Sequence, residues 1–258
     1  MEEYTLLTQG ALQVPCYTTA PKDGQPRQII LGVHGLGGSA KDAIQTSIAE
    51  EMDLFASATV RFDFPAHGAS PMGSEAFTLQ NCMDALMAAA VYAKEQFPEA
   101  REHCIFATGF GAYVTLLCLP RLQALAGRVR LVLQTPSVCM HDTLLSMLRV
   151  SRQTLWAMEK YTLPLPRPLD ITYGFYESLQ QNSALISSSQ PMLLLQGERD
   201  DYIRREDLQH FHRLNEQSKL VILPGVSHRF MEEGAWDMVL DLTRDWFTFE
   251  QVLLCDWE

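Results

Sequence analysis

The chain predicts an α/β fold, a mostly parallel central sheet flanked by helices with an inserted cap, on three observations. Short continuous apolar runs recur at 28–33, 104–108, 129–134 and 191–196, the pattern of strands covered on both faces. Between them lie helical stretches of ten to twenty residues, so parallel strands joined by right-handed crossovers follow. Glycine- or proline-bearing loops close most of these runs, as in His34-Gly35-Leu36-Gly37-Gly38-Ser39.

Taken in order, residues 4–18 alternate weakly and contain Pro15, which suits one or two edge strands rather than a central one. Gly24-Gln25-Pro26 marks a turn before the first buried strand at 28–33. Helical spacing of Ala43, Ile44, Ile48, Met52 and Phe55 predicts a helix over 41–55, with Ser39 as its cap. A strand at 58–63 leads into Phe64-Pro65-Ala66-His67-Gly68, and a Met/Ala-rich helix covers about 77–97. The strand at 104–108 passes through a glycine turn into a helix over 112–125, and the strand at 129–134 ends in Thr135-Pro136. The alternation then stops. From about 139 to 190, Trp156, Met158, Tyr161, a proline series at 164, 166 and 168, and Tyr173, Phe175 and Tyr176 suit a cap over the strand ends, with Trp156 and Tyr161 as candidate ligand-binding residues. The same side chains also suit a small satellite core. A strand at 191–196, a loop at 197–201, a helix at 205–215, a strand at 219–223 and a closing helix at 233–249 complete one domain over residues 1–258.

Composition narrows the function. A net charge of −11 without a basic cluster argues against a nucleic-acid partner. Apolar runs such as 85–93 fall short of the roughly 20 residues that span a bilayer, and the acidic start has no apolar leader, so the expected address is cytoplasmic, off the membrane. The six cysteines form no C-x-x-C and read as reduced core or near-core residues. His210 and His212, two apart on a helix, face different ways, so no metal site is expected. Neither a dinucleotide fingerprint nor a P-loop is present, and no cofactor is expected. A small-molecule ligand remains, with the oligomeric state open.

Four segments, His34-Gly-Leu-Gly-Gly38, Arg61-Phe-Asp-Phe-Pro-Ala-His-Gly68, Gly197-Glu-Arg-Asp200 and Pro224-Gly-Val-Ser-His228, stand in an order and at spacings that resemble the α/β-hydrolase superfamily, in its cinnamoyl/feruloyl-esterase-like branch. The likeness runs over about residues 10 to 250. It implies an oxyanion hole built from the N–H groups of Leu36 and Phe110, Asp200 as the acid that orients a histidine, and His228 as general base. Asp201 and Glu198 are alternatives for the acid. It also implies small esters with an apolar or aromatic acyl group as the substrate class. His67 reads as a packing and hydrogen-bonding residue of its loop.

One position departs. The superfamily's G-x-S-x-G elbow reads Ala107-Thr108-Gly109-Phe110-Gly111 here, so Gly109 occupies the nucleophile's place. Thr108 is a poor substitute, one residue before the bend and β-branched. A serine at an elbow holds a strained positive φ costing on the order of 1–3 kcal/mol, which glycine adopts freely. Three readings follow: a degenerate hydrolase that binds a ligand without turning it over, a His228–Asp200 dyad enzyme without a serine, or an esterase whose serine has been replaced.

Overall fold

The continuous apolar runs form strands with helices on both faces. In a computed structural model that describes residues 2–22 and 25–249, the chain runs β1 (Glu2–Gln9), β2 (Leu12–Thr19), β3 (Gln28–Val33), α1 (Ala43–Asp53), β4 (Ser57–Phe62), a 3-10 turn (Ser74–Ala76), α2 (Leu79–Gln96), β5 (Glu102–Thr108), α3 (Gly109–Ala126) and β6 (Val129–Gln134). It continues through α4 (Met140–Leu148), α5 (Arg152–Met158), β7 (Lys160–Leu163), β8 (Leu169–Thr172), α6 (Tyr173–Gln181), β9 (Met192–Arg199), α7 (Arg205–Leu214), β10 (Ser218–Ser227) and α8 (Ala235–Thr248). Eight strands form one sheet in the order β1-β2-β4-β3-β5-β6-β9-β10. The β1/β2 and β2/β4 pairs are antiparallel and every other pair is parallel.

Alternate residues of each buried strand enter opposite cores. Ile29, Leu31, Val33, Ile105, Ala107, Leu131 and Leu133 face α2, α3 and the inserted segment. Ile30, Cys104, Phe106, Val132, Leu193 and Leu195 meet Ile44, Ile48 and Met52 of α1 and Val239 and Phe247 of α8. Both faces are apolar because both are covered, which is why these strands show no period of two.

Two local expectations change. Pro15 lies in β2, which pairs on both sides and is not an edge. Its carbonyl accepts the Asp63 N–H, so its nitrogen faces β4 just where the ladder with β4, from Cys16 to Thr19, has ended. The missing donor therefore breaks no ladder bond. Ser39 does not cap α1. Asp42 takes the N-cap position and its carboxylate accepts the Ser39 N–H and hydroxyl, each at 3.0 Å, so the acid ties back the glycine loop. Thr78 caps α2 by accepting the Asn81 N–H at 3.1 Å.

Between β6 and β9 the inserted segment packs α4 against α6 and sends out the β7/β8 hairpin. The proline series forms the tip of that hairpin. Arg167, in the tip, donates to the carbonyls of Gly68, Ser70 and Met72, pinning the tip to the loop after β4. Cys16, Cys82, Cys104 and Cys118 are buried free thiols and Cys139 is half-buried, while Cys255 lies outside the described residues. Burial pushes the Cys16, Cys104 and Cys118 thiols up to about 12, so they behave as small apolar groups. No helix among the described residues is long and apolar enough to cross a membrane, and none of them form a group of three or more His, Cys, Asp or Glu able to hold a metal ion.

Candidate active site

Parallel strands end together, so the loops after β3, β5, β6, β9 and β10 meet at the carboxyl edge of the sheet. There they enclose a cavity of about 620 Å³. Leu36, Gly109, Phe110 and His228 all line it.

The bend between β5 and α3 is a left-handed one: Gly109 has φ +49°. A Cβ built on it would meet nothing within 4 Å. Two residues on, a Cβ at Gly111 would lie 2.3 Å from the His34 carbonyl oxygen and 2.8 Å from that of Val33, so the close approach of α3 to β3 requires glycine there. Phe110 turns its ring inward against Phe64, Phe77 and Phe175, with centroids 5.6, 5.6 and 5.9 Å away. That anchor holds its N–H in the first turn of α3, where helix donors have no acceptor within the helix. The Leu36 N–H likewise meets no protein acceptor among the described residues.

Two buried histidines hold the first glycine loop. His34 Nε2 accepts the Phe64 N–H at 3.1 Å and its Nδ1 pairs with the Gly35 carbonyl at 2.8 Å. His67 Nε2 accepts the Gly37 N–H at 3.0 Å and its Nδ1 pairs with the Pro65 carbonyl at 2.9 Å. Each ring is thereby fixed as the neutral Nδ1–H tautomer, because a proton on Nε2 would face a donor. Burial pushes His34 down to about 4 and, with the neighbouring His34 adding to it, His67 down to about 3.

On the other side of the cavity His228 Nδ1 lies 2.9 Å from Asp200 Oδ2. The Asp200 side chain is 1% exposed, and its second oxygen accepts the Tyr202 and Ile203 N–H groups at 3.0 and 3.1 Å. The carboxylate is thus aimed by the backbone and in turn aims the imidazole, leaving Nε2 for the cavity. The Tyr202 ring stands edge-on to the imidazole at 4.9 Å. Glu198 is otherwise engaged, accepting the Gly225 N–H at 2.8 Å, and Asp201 is exposed. Such a pair can orient a base, stabilise an imidazolium and polarise a bound group.

Some of the expected residues sit elsewhere. Trp156 is 66% exposed: the short α5 buries only Leu155, and the neighbouring side chain points out. Tyr161 packs on the apolar core and does not line the cavity. Met140, Met147, Leu163, Pro164 and Leu165 are what the inserted segment brings to the cavity. Thr108 lines the cavity too, its hydroxyl 3.3 Å from where a Cβ on Gly35 would stand, beneath the glycine loop. Sequence reasoning missed Gln134, Thr135 and Ser137, which line the cavity from the end of β6. The signal was available: they occupy a strand's carboxyl end, the same position that singled out the other loops.

The chain is similar to solved structures along nearly its whole length. It matches the ferulic-acid-bound structure of Est1E from Butyrivibrio proteoclasticus with a TM-score of 0.81 at 17% identity, over 94% of this chain and 97% of that one. A putative hydrolase from Agrobacterium vitis matches with a TM-score of 0.79 at 17% identity, over 95% and 98%. Mouse alpha/beta hydrolase domain-containing protein 10 matches with a TM-score of 0.74 at 15% identity, over 95% and 98%. The fold is the α/β-hydrolase fold. No family model and no curated protein matches the sequence. At such identities the likeness establishes the fold alone, and the site must be judged on its own residues.

Proposed function

We propose that this chain is a small-molecule-binding protein of carboxylester-hydrolase ancestry that keeps the oxyanion loop and the His228–Asp200 pair but forms no acyl-enzyme through the elbow. The observation that carries this is Gly109. Its backbone has the left-handed bend of a nucleophile position, its surroundings leave room for a side chain, and it supplies no oxygen. Nucleophilic catalysis splits acyl transfer into two steps through a covalent intermediate, and without the hydroxyl at this bend that intermediate has no place to form there. The ligand is a small molecule with an apolar or aromatic acyl group, in keeping with the Met140, Met147, Leu163, Leu165 and Trp236 walls and with the ferulic acid bound to Est1E from Butyrivibrio proteoclasticus.

A second reading has its own observation. His228 has Nδ1 on Asp200 and lines the cavity, which supports a reading in which the pair activates water on a bound ester. Both readings meet one experiment: wild type, Gly109→Ser and His228→Ala are assayed on p-nitrophenyl acetate and butyrate with stopped-flow detection. A silent wild type and a serine variant that shows an acyl burst, with a rate gain of roughly 10³-fold or more, support the non-acylating reading. Turnover in the wild type that His228→Ala abolishes selects the dyad. A burst in the wild type itself overturns both.

A further inference from the structure

We propose that the place left open at Gly109 is itself a binding notch for a carboxylate, so that the chain takes a small carboxylic acid in preference to its ester. This rests on the non-acylating reading above and names its ligand. Five donors surround the open space and have no protein acceptor. Two are backbone N–H groups, from Leu36 and from Phe110 in the first turn of the 18-residue α3. The other three come from β6 and its exit. Gln134, the register partner of Thr108, is 7% exposed; its carboxamide oxygen, an acceptor, is buried without a donor, and its NH2, the donor counted here, makes no hydrogen bond among the described residues. The hydroxyls of Thr135 and Ser137, on residues 4% and 2% exposed, have none either.

Thr135 is also strained. At φ +46° it is the one β-branched residue among the described ones with a left-handed backbone, and it stands beside Gly109 because Thr108 and Gln134 pair in register. Its N–H is fixed on the Leu195 carbonyl at 2.7 Å, and the Ser137 N–H reaches the Gly109 carbonyl at 3.5 Å. A β-branched residue held in that region needs surroundings that over-determine it, and such strain gathers at ligand clamps. The result is two left-handed strand exits side by side, one without a side chain and one with a hydroxyl.

Donor count decides the ligand. An ester carbonyl takes the two backbone donors and leaves the amide and hydroxyls unsatisfied, whereas a carboxylate offers about four lone-pair sites on two oxygens. Bonds to an ionised acceptor are also roughly twice as strong as neutral ones. Arg229 lines the cavity as a cation, opposed by the Asp42 carboxylate, which is turned onto Ser39, and by Asp200 behind His228.

The test is calorimetric titration of the full-length protein with benzoate and cinnamate against their methyl esters. We expect each acid to bind at least tenfold tighter than its ester. Gly109→Ala places a methyl in the notch, which has room for it, and is expected to weaken acid binding tenfold or more while changing ester binding less than threefold. Gln134→Leu is expected to weaken the acid about fivefold, and it decides the matter alone if the alanine variant does not fold. Esters binding as tightly as acids, or acid binding untouched by either substitution, overturns the notch and leaves the ligand-binding reading standing. Failure of both acids and esters to bind overturns that reading, and the notch with it.

Discussion

At the scale of single residues, Asp200 is the most heavily committed group in the site. It serves two backbone N–H groups and an imidazole from a side chain that is 1% exposed. Asp200→Ala strands three donors, each worth about 1–3 kcal/mol when buried without an acceptor, so a clear loss of thermal stability is expected beside the loss of His228 orientation. Asp200→Asn keeps an acceptor for the backbone and is expected to recover most of the melting temperature without restoring the tautomer of His228. Thermal melts of the two variants check this, and equal destabilisation by both would sink the assignment. That Leu36, Phe110 and His228 would meet at one cavity, with Asp200 behind the imidazole, was legible in the sequence because strand-end motifs fix position through the backbone. Trp156 was not, because only the direction of a side chain on a seven-residue helix decides whether it faces a cavity or water. Gln134 and Thr135 were overlooked for the opposite reason: polar residues ending an apolar run read as a strand's close, and the left-handed φ that marks Thr135 leaves no trace in the amino-acid type.

Among the elements, the parallel strands were read to within a residue or two wherever both faces are covered, since burial writes them as unbroken apolar runs. β9 and β10 run longer than expected. Their ladder resumes past Leu223 and Gly197 with Ser227 opposite Arg199, and glycine and proline in those stretches look like a loop when read alone. The β7/β8 hairpin escaped the sequence reading altogether, because it is four residues a side with three of its eight side chains exposed, too short for a period. Its position nevertheless matters to the site. The Leu165 methyls come within 2.9 Å of where a Cβ on Gly37 would stand, so the hairpin tip rests on the glycine loop, and Arg167 holds it there. Arg167→Ala removes three carbonyl contacts at one half-buried group and is expected to cost about 1–3 kcal/mol locally while leaving the sheet intact. Hydrogen exchange should then speed up over residues 160–172 while β5 and β6 stay protected. Uniform protection in the variant would mean the tip is held by packing alone.

For the whole molecule, the sharpest consequence concerns acid, and it follows from the two histidines beneath the glycine loop. Unfolded, each titrates near 6.5. Folded, His34 is pushed down to about 4 and His67 to about 3 by burial. Between pH 6.5 and 4 these two rings alone let the unfolded chain bind up to two more protons than the folded one, with His103, also lowered by burial, adding in the same direction, so stability rises with pH through that window and is lost as pH falls through it. Asp63 acts the other way. Its carboxyl, raised chiefly by burial despite accepting the Ala40 and Ala69 N–H groups, lets the folded chain keep a proton that the unfolded chain has released just above pH 4. That contribution adds stability toward the low end of the window, so the fall from pH 6.5 downward belongs to the histidines. The unfolding free energy obtained from urea titrations is expected to drop by on the order of several kcal/mol between pH 7 and about 4.5. His67→Gln keeps an acceptor for the Gly37 N–H but cannot titrate, and should flatten the profile by roughly half. Since Gly37 adjoins Leu36, protonating His67 also releases the loop that carries the cavity-lining Leu36. Ligand binding should accordingly weaken in parallel with stability on acidification in the wild type and less steeply in His67→Gln. A flat stability profile over this range would show that neither ring is held neutral by the loop.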